Sequence, residues 1–250
     1  MRRLSSRGRF RALFGALAAS QVAYGLLPED RSRVGATRGI VGLMLATSLA
    51  EAAAARGRRG PRAVVAAGAL GFATELVGVA TGRPFGHYTY GPGLGVQVGR
   101  VPVAAAAAWA MMARPAWVVG GWVARTPVAR VLVAAGALTA WDVFLDPRMV
   151  REGYWTWPGG GVYEDVPLSN FAGWFVTGAG VFAVWHLVEG SEAPGAADDG
   201  ALALYAWTWL GETFASAALW RRPRVAVAGG LAMGAVAVPA LVARARAGRS

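Results

Sequence analysis

Two aspartates spaced for one face of a helix are the residues of this chain best placed to do chemistry. Asp142 and Asp146 lie four residues apart at the end of a long apolar run, and helical spacing would put both carboxyl groups on one face, a turn apart. Glu75 lies in another apolar run, 63–81. Because charged carboxyl groups are costly in hydrocarbon, acids in such runs are candidate catalytic residues. Two neighbouring buried carboxyl groups do not ionise together, so one of them is expected to remain a proton donor.

Aromatic residues in two long connections, 82–100 and 147–168, are predicted to line a substrate site beside these acids. The candidates are Phe85, His87 and Tyr88 in the first connection, Trp155, Trp157 and Tyr163 in the second, and Asn170 and Trp174 just beyond it. Aromatic faces stabilise a developing cation. Acids, aromatic walls and access from lipid suit the protonation of an alkene followed by capture of the cation, although proton-coupled transport uses the same residue types.

The composition indicates a membrane protein rather than a soluble one. Hydrophobic residues make up 55% of the chain and charged residues 16%. Eight apolar runs could each cross a hydrocarbon core of about 30 Å as a helix. They cover residues 10–27, 38–55, 63–81, 101–123, 127–146, 169–189, 201–219 and 223–243. The predicted fold class is all-α, a polytopic transmembrane bundle of seven to eight spans, in which 201–219 is the uncertain span.

A single integral membrane domain is predicted over residues 1–250. Its motif-bearing core is 63–190, a polar linker at 190–200 is expected to be a solvated loop, and 201–243 is expected to form a C-terminal helical hairpin. Arg114-Pro115 is expected to kink the fourth run or to interrupt it.

The net charge of +11 indicates a membrane surface as partner rather than nucleic acid, because most of the Arg residues flank the apolar runs. This Arg pattern predicts a multi-pass protein of the cell membrane with a cytoplasmic N-terminus. Both long connections, and the nearby acids, would then lie at the opposite face. The chain has no Cys and two His, so thiol catalysis is excluded and neither a metal nor a cofactor is predicted.

Structural interpretations compete with the chemical ones. Asp142 could pair with Arg83, Arg148 or Arg151, and Asp146 before Pro147 could mark the end of a helix. Ser169-Asn170 after Pro167 is typical of a helix N-cap. Tryptophans often form a belt at the membrane interface, which is the prediction for Trp117, Trp122 and Trp220.

Residues 75–190 resemble the membrane carotenoid-biosynthesis family. One similar string runs Glu75…Gly78…Thr81-Gly-Arg-Pro-Phe-Gly-His-Tyr-Thr-Tyr90, followed by Val101-Pro…Trp109, and the other runs Ala140-Trp-Asp…Asp146-Pro…Gly153-Tyr-Trp-Thr-Trp…Asn170-Phe…Gly-Trp174. The resemblance implies a carotenoid hydratase, which adds water across the terminal double bond of an acyclic carotenoid, as in bacterioruberin and monocyclic-carotenoid pathways. Other membrane enzymes of that pathway are candidate partners.

The mechanistic hypothesis gives each acid a role. Protonated Asp142 would deliver a proton to the alkene, and the tertiary cation would form against Trp155 and Trp157. Water held by Asp146, Asn170 or Glu75 would then add to the cation. The alternatives are a proton-coupled transporter or lipid-binding protein that uses acids spread through the membrane, a scaffold for pathway enzymes, and a cyclase or isomerase of the same end group.

Overall fold

Eight α-helices account for most of the chain in the computed structural model, which describes residues 5–27, 31–190 and 192–249. The helices are α1 (Ser6–Gly25), α2 (Arg31–Arg56), α3 (Arg59–Thr81), α4 (Val103–Val123), α5 (Pro127–Arg151), α6 (Leu168–Glu189), α7 (Asp199–Phe214) and α8 (Pro223–Ala247). Four two-residue strands lie in the connections: β1 (Thr89–Tyr90), β2 (Gln97–Val98), β3 (Val101–Pro102) and β4 (Trp155–Thr156). The predicted all-α class is confirmed.

Six of these helices, α2 to α6 and α8, are long and apolar enough to cross a membrane. Among the described residues, α1 and α7 do not meet that measure. Helix α7 continues into a π-helical turn, Ala215–Leu219. Such turns are rare and are often found at functional sites. Because six of its helices are long and apolar enough to cross a membrane, the chain is a helical membrane protein.

Helix α4 is the centre of the bundle and is buried continuously from Trp109 to Gly120. Small residues let its neighbours approach closely, as is usual where helices pack in a membrane. A Cβ added to Gly68 of α3 would lie 2.9 Å from the carbonyl oxygen of Ala106. Trp117 is fully buried in this core, and the Cζ atom of Arg130 lies 3.9 Å from its ring centroid. The interfacial-belt prediction for Trp117 is therefore wrong.

Arg114 of the central helix α4 is a fully buried cation. Its guanidinium donates to Glu51 at 2.9 Å and to Glu189 at 3.1 Å, and it also binds Asp198. The expected break at Arg114-Pro115 is absent, since α4 runs through both residues. Asp198 is fully buried in a short turn after α6, so the prediction of a solvated loop is wrong at this residue. A buried cation needs such partners because an unpaired charge is costly there.

Helix α5 continues past Pro147 to Arg151, five residues beyond the predicted end of its run. Proline has no N–H, so the carbonyl of Val143, four residues earlier, loses its helical partner. The hydroxyl of Tyr163 donates to this carbonyl at 3.1 Å. The helix-end interpretation of Asp146 is therefore wrong, and the carboxyl group of Asp146 projects from within a helix.

The two long connections meet over one end of the bundle, as the alternation of helices predicted. Strands β1 and β4 pair antiparallel, with Tyr90 opposite Trp155. The indole of Trp157 donates to the Phe85 carbonyl at 3.0 Å. Gly91 is needed at this junction, because a Cβ there would lie 2.5 Å from the Gly153 carbonyl oxygen. The paired connections therefore close that end of the bundle.

Candidate active site

A cavity of about 640 Å³ lies beneath the paired connections and extends between the helices toward α1 and α7. Its wall brings together residues from both connections and from α3, α5 and α6. Eight of the eleven predicted site residues line it: Glu75, Phe85, Tyr88, Asp146, Trp155, Trp157, Asn170 and Trp174. Its volume is that of a small-molecule site rather than of a packing defect.

Glu75 is held in the cavity wall by three neutral donors. The hydroxyls of Tyr88 and Tyr90 donate to Glu75 Oε2 at 2.5 and 2.8 Å, and the indole of Trp109 donates to Oε1 at 3.0 Å. Both tyrosines belong to the first connection. Burial raises the pKa of each above its usual range, and the neighbouring Glu75 raises it further. Both hydroxyls therefore remain protonated and can keep donating to Glu75.

Asp142 and Asp146 share the amide of Asn170. Its Nδ2 donates to Asp142 Oδ2 at 3.0 Å and also binds Asp146 Oδ2. The N-cap of α6 is Pro167, which makes no side-chain cap bond, so the N-cap interpretation of Ser169-Asn170 is wrong. The side chain of Asn170 instead joins the two carboxyl groups that helical spacing had predicted to be neighbours.

Of the two aspartates, Asp146 is the one in the cavity wall. Asp142 is fully buried behind it, and its Oδ1 has no hydrogen-bond partner among the described residues. Arg148, one of the ion-pair partners considered for Asp142, binds Glu212 instead, at 3.0 Å. Asp146 Oδ1 accepts a bond from the indole of Trp155 at 3.0 Å.

The wall aromatics missed by the sequence prediction include Tyr90, Trp109 and Trp141. Trp109 stacks on Trp174 with ring centroids 4.0 Å apart, and Trp141 meets Trp174 edge-on at 6.2 Å. A signal was available for Trp109, which directly follows five alanines in the apolar run of α4. Its helical position alone does not distinguish a cavity wall from ordinary core packing.

Two predicted substrate-binding residues lie outside the cavity wall. His87 is exposed and its ring lies against Gly82, where an added Cβ would meet it at 2.6 Å. Tyr163 supports α5 through Val143 and packs edge-on against Phe171.

The cavity wall carries a second polar group of side chains. Arg148 and Glu212 both line it, together with Tyr24 and Trp220. The guanidinium of Arg148 lies 5.4 Å from the Trp220 ring centroid. Trp220, which the sequence analysis placed in an interfacial belt, therefore also lines the cavity.

Fold and site together define a class: helical membrane proteins with an acid-lined, aromatic-walled cavity under one end of the bundle. Residues 35–237 match the family model described as "Carotenoid biosynthesis protein". That match covers most of the chain, which belongs to this family, as the sequence motifs indicated.

A curated relative is the bisanhydrobacterioruberin hydratase of Haloarcula japonica, with 34% identity over 128 residues. The aligned part covers 49% of this chain and 43% of the relative. The chain therefore matches less than half of the length of that enzyme. No solved structure matches the chain.

Proposed function

We propose that the protein is a carotenoid hydratase, which adds water to the terminal double bond of an acyclic carotenoid. The observation that carries this proposal is the meeting of Asp146, Asn170 and Glu75 in one cavity with aromatic walls. The hydratase name of the similar enzyme supports the same reaction class. In this proposal the substrate is a hydrophobic carotenoid dissolved in the lipid bilayer.

The first step is the transfer of a proton from Asp146 to the less substituted carbon of the double bond. The π electrons form the new C–H bond, and a tertiary cation remains on the other carbon. Asp146 is the donor because it lines the cavity, whereas Asp142 lies behind it. Asp142 is then a positioning residue that shares a proton with Asp146, with Asn170 joining both groups. Aromatic faces in the wall stabilise the cation.

The second step is the addition of water to the cation. Its oxygen forms the new C–O bond and its surplus proton passes to the Glu75 carboxylate, from which it returns to Asp146. The sum is one water added per double bond, with no oxidation or reduction. General acid–base transfer of this kind contributes about 10²–10⁴-fold to a rate.

The transporter alternative receives less support from the contacts of the remaining acids. Glu51 is paired with buried Arg114, and Glu212 is paired with Arg148. A proton relay through either acid would have to break its ion pair, and leaving a buried charge without its partner is costly. A cyclase or isomerase would share the cation and would differ by excluding water. A scaffold would need neither the acids nor the cavity.

The reaction is tested by expressing the chain in a host that makes lycopene-type acyclic carotenoids and measuring the mass of the pigments. A hydratase yields products heavier by one water per modified end. New pigments of unchanged mass would instead establish the isomerase or cyclase alternative. An unchanged pigment profile would contradict the proposal.

Replacing each aspartate separately tests the assigned donor. Asp146→Asn is expected to lower hydrated product by about 10²-fold or more, because the amide cannot supply the proton. Asp142→Asn should lower the rate less and shift its pH profile, because it changes the partner of the donor rather than the donor. A full loss in Asp142→Asn with activity retained in Asp146→Asn would reverse the assignment.

A further inference from the structure

The mouth of the cavity differs from the rest of its wall. Among the described residues that line the cavity, the exposed ones are all apolar: Val22, Leu26, Leu210, Phe214 and Leu219, which are 56%, 73%, 57%, 63% and 39% exposed. The acids, the tyrosines and Asn170 in the same wall are buried or half-buried. A mouth for a water-soluble molecule would present polar groups, whereas this one presents side chains suited to lipid.

Four of the mouth residues come from α1 or from α7 and its π-helical turn, and the fifth, Leu26, is the C-cap residue of α1. The opening therefore lies in the side of the bundle, between two helices. None of the five mouth residues belongs to the paired connections. The two sides of the mouth approach each other where a Cβ added to Gly25 would lie 2.7 Å from Leu219 Cδ1. The indole of Trp207 also donates to Gln21 at 2.7 Å, and this bond joins α7 to α1 beside the mouth residue Val22.

We propose that this gap between α1 and α7 is the lateral entrance through which a long, uncharged polyene passes from the bilayer, one end first, to Asp146 and Glu75. The occupant follows from continuity, because one cavity joins the apolar mouth to the acids. The reacting end of the chain would lie at the acids and the remainder would extend through the mouth into lipid. This inference rests on the proposed function for the identity of its occupant.

A reversible crosslink across the mouth tests the entrance. The chain has no Cys, so introduced thiols are the sole targets of a thiol reagent. Gly25→Cys and Leu219→Cys would be combined in one variant, purified in lipid nanodiscs and joined by a short bis-methanethiosulfonate that a reducing agent removes. A matched pair, Thr213→Cys with Gly230→Cys, joins α7 to α8 instead, since a Cβ on Gly230 would lie 3.9 Å from Thr213 Cβ.

The main measurement is uptake of an acyclic carotenoid, followed by the circular dichroism that a bound polyene acquires from its protein site. This signal does not require hydration, so it reports on the entrance separately from the reaction. Crosslinking across the mouth is expected to lower uptake at least about tenfold, and reduction should restore it. The α7–α8 crosslink should leave uptake unchanged, and each single-Cys variant treated with the same reagent gives the reference level for its own substitution.

Unchanged uptake in the variant crosslinked at 25 and 219 would overturn the entrance and leave the gap as a groove for bilayer lipid. Equal loss in the α7–α8 crosslink would overturn it too, because stiffening of α7 would then explain the effect. Uptake that the mouth crosslink blocks, without a hydrated product from the uncrosslinked protein, would support the entrance and contradict the proposed reaction.

Discussion

Glu75 is a buried acid that depends on neutral donors rather than on a cation. Tyr88 and Tyr90 bind one of its oxygens, and Trp109 binds the other. Such bonding satisfies a carboxylate without neutralising it, so the group keeps the capacity to accept a proton. Arg114, by contrast, holds its three acids in ion pairs. This difference is why Glu75 is the proposed acceptor and Glu51 is not.

Glu75→Gln is expected to lower hydratase turnover by about 10²-fold or more, because the amide cannot take up the proton released by water. The measurement is the amount of hydrated carotenoid formed per amount of folded protein. Tyr90→Phe is the matched control, since it removes one donor to Oε2 while Tyr88 remains and the carboxyl group is kept. A Glu75→Gln variant with the turnover of Tyr90→Phe would exclude Glu75 as the proton acceptor.

The sequence identified the acids of the site, but it did not show where each of them lies in the site. Helical spacing correctly made Asp142 and Asp146 neighbours, but it could not tell which of them faces the cavity. That distinction depends on Asn170, whose amide joins the two acids from another helix. Trp109 was missed for a similar reason, because its partner Trp174 is on α6.

At the scale of the helices, the prediction was successful where hydrophobicity decides the outcome and failed where distant contacts do. The apolar runs located all eight helices among the described residues. The extension of α5 past Pro147 depends on Tyr163, which lies 20 residues after the carbonyl that it binds. The continuity of α4 at Arg114 depends on acids 63 to 84 residues away. Local sequence patterns cannot supply such pairings.

Tyr163→Phe is expected to destabilise the protein by about 1–2 kcal/mol near pH 8, because it leaves the Val143 carbonyl without its donor. The measurement is the free energy of unfolding by denaturant in detergent micelles. Tyr205→Phe is the matched control, since Tyr205 also donates to a carbonyl of α5, that of Ala137, at 2.9 Å. Ala137 has an ordinary residue, Trp141, four positions later, so its carbonyl retains a helical donor and the loss should be smaller.

The stabilisation from Tyr163 should also depend on pH. Burial, with a further contribution from Glu164, raises the pKa of Tyr163 to about 12, above the value of about 10 expected in the unfolded chain. Because folding favours the protonated phenol, its contribution is fully present below about pH 10 and is lost as the pH rises through about 12. The difference between wild type and Tyr163→Phe should therefore shrink between those values. A constant difference up to pH 12 would contradict this account.

The orientation of the whole bundle in the membrane decides from which side water reaches the site. The Arg blocks at the N-terminus and at 56–62 predict that these segments are cytoplasmic. The paired connections lie at the opposite end of α3 and α5, together with Glu75 and Asp146. The hydration site would then lie near the extracytoplasmic face, with water supplied from that side and the polyene from the adjacent leaflet.

Single-Cys variants of this Cys-free chain can test that orientation. Val96→Cys and Val162→Cys place exposed thiols in the two connections, where the native side chains are 76% and 82% exposed. Both should react with a membrane-impermeant maleimide on intact cells. Arg58→Cys, in the turn between α2 and α3, is the matched control and should react only after the membrane is opened. The reverse pattern would place the acids at the cytoplasmic face, where the same cavity would draw its polyene from the inner leaflet.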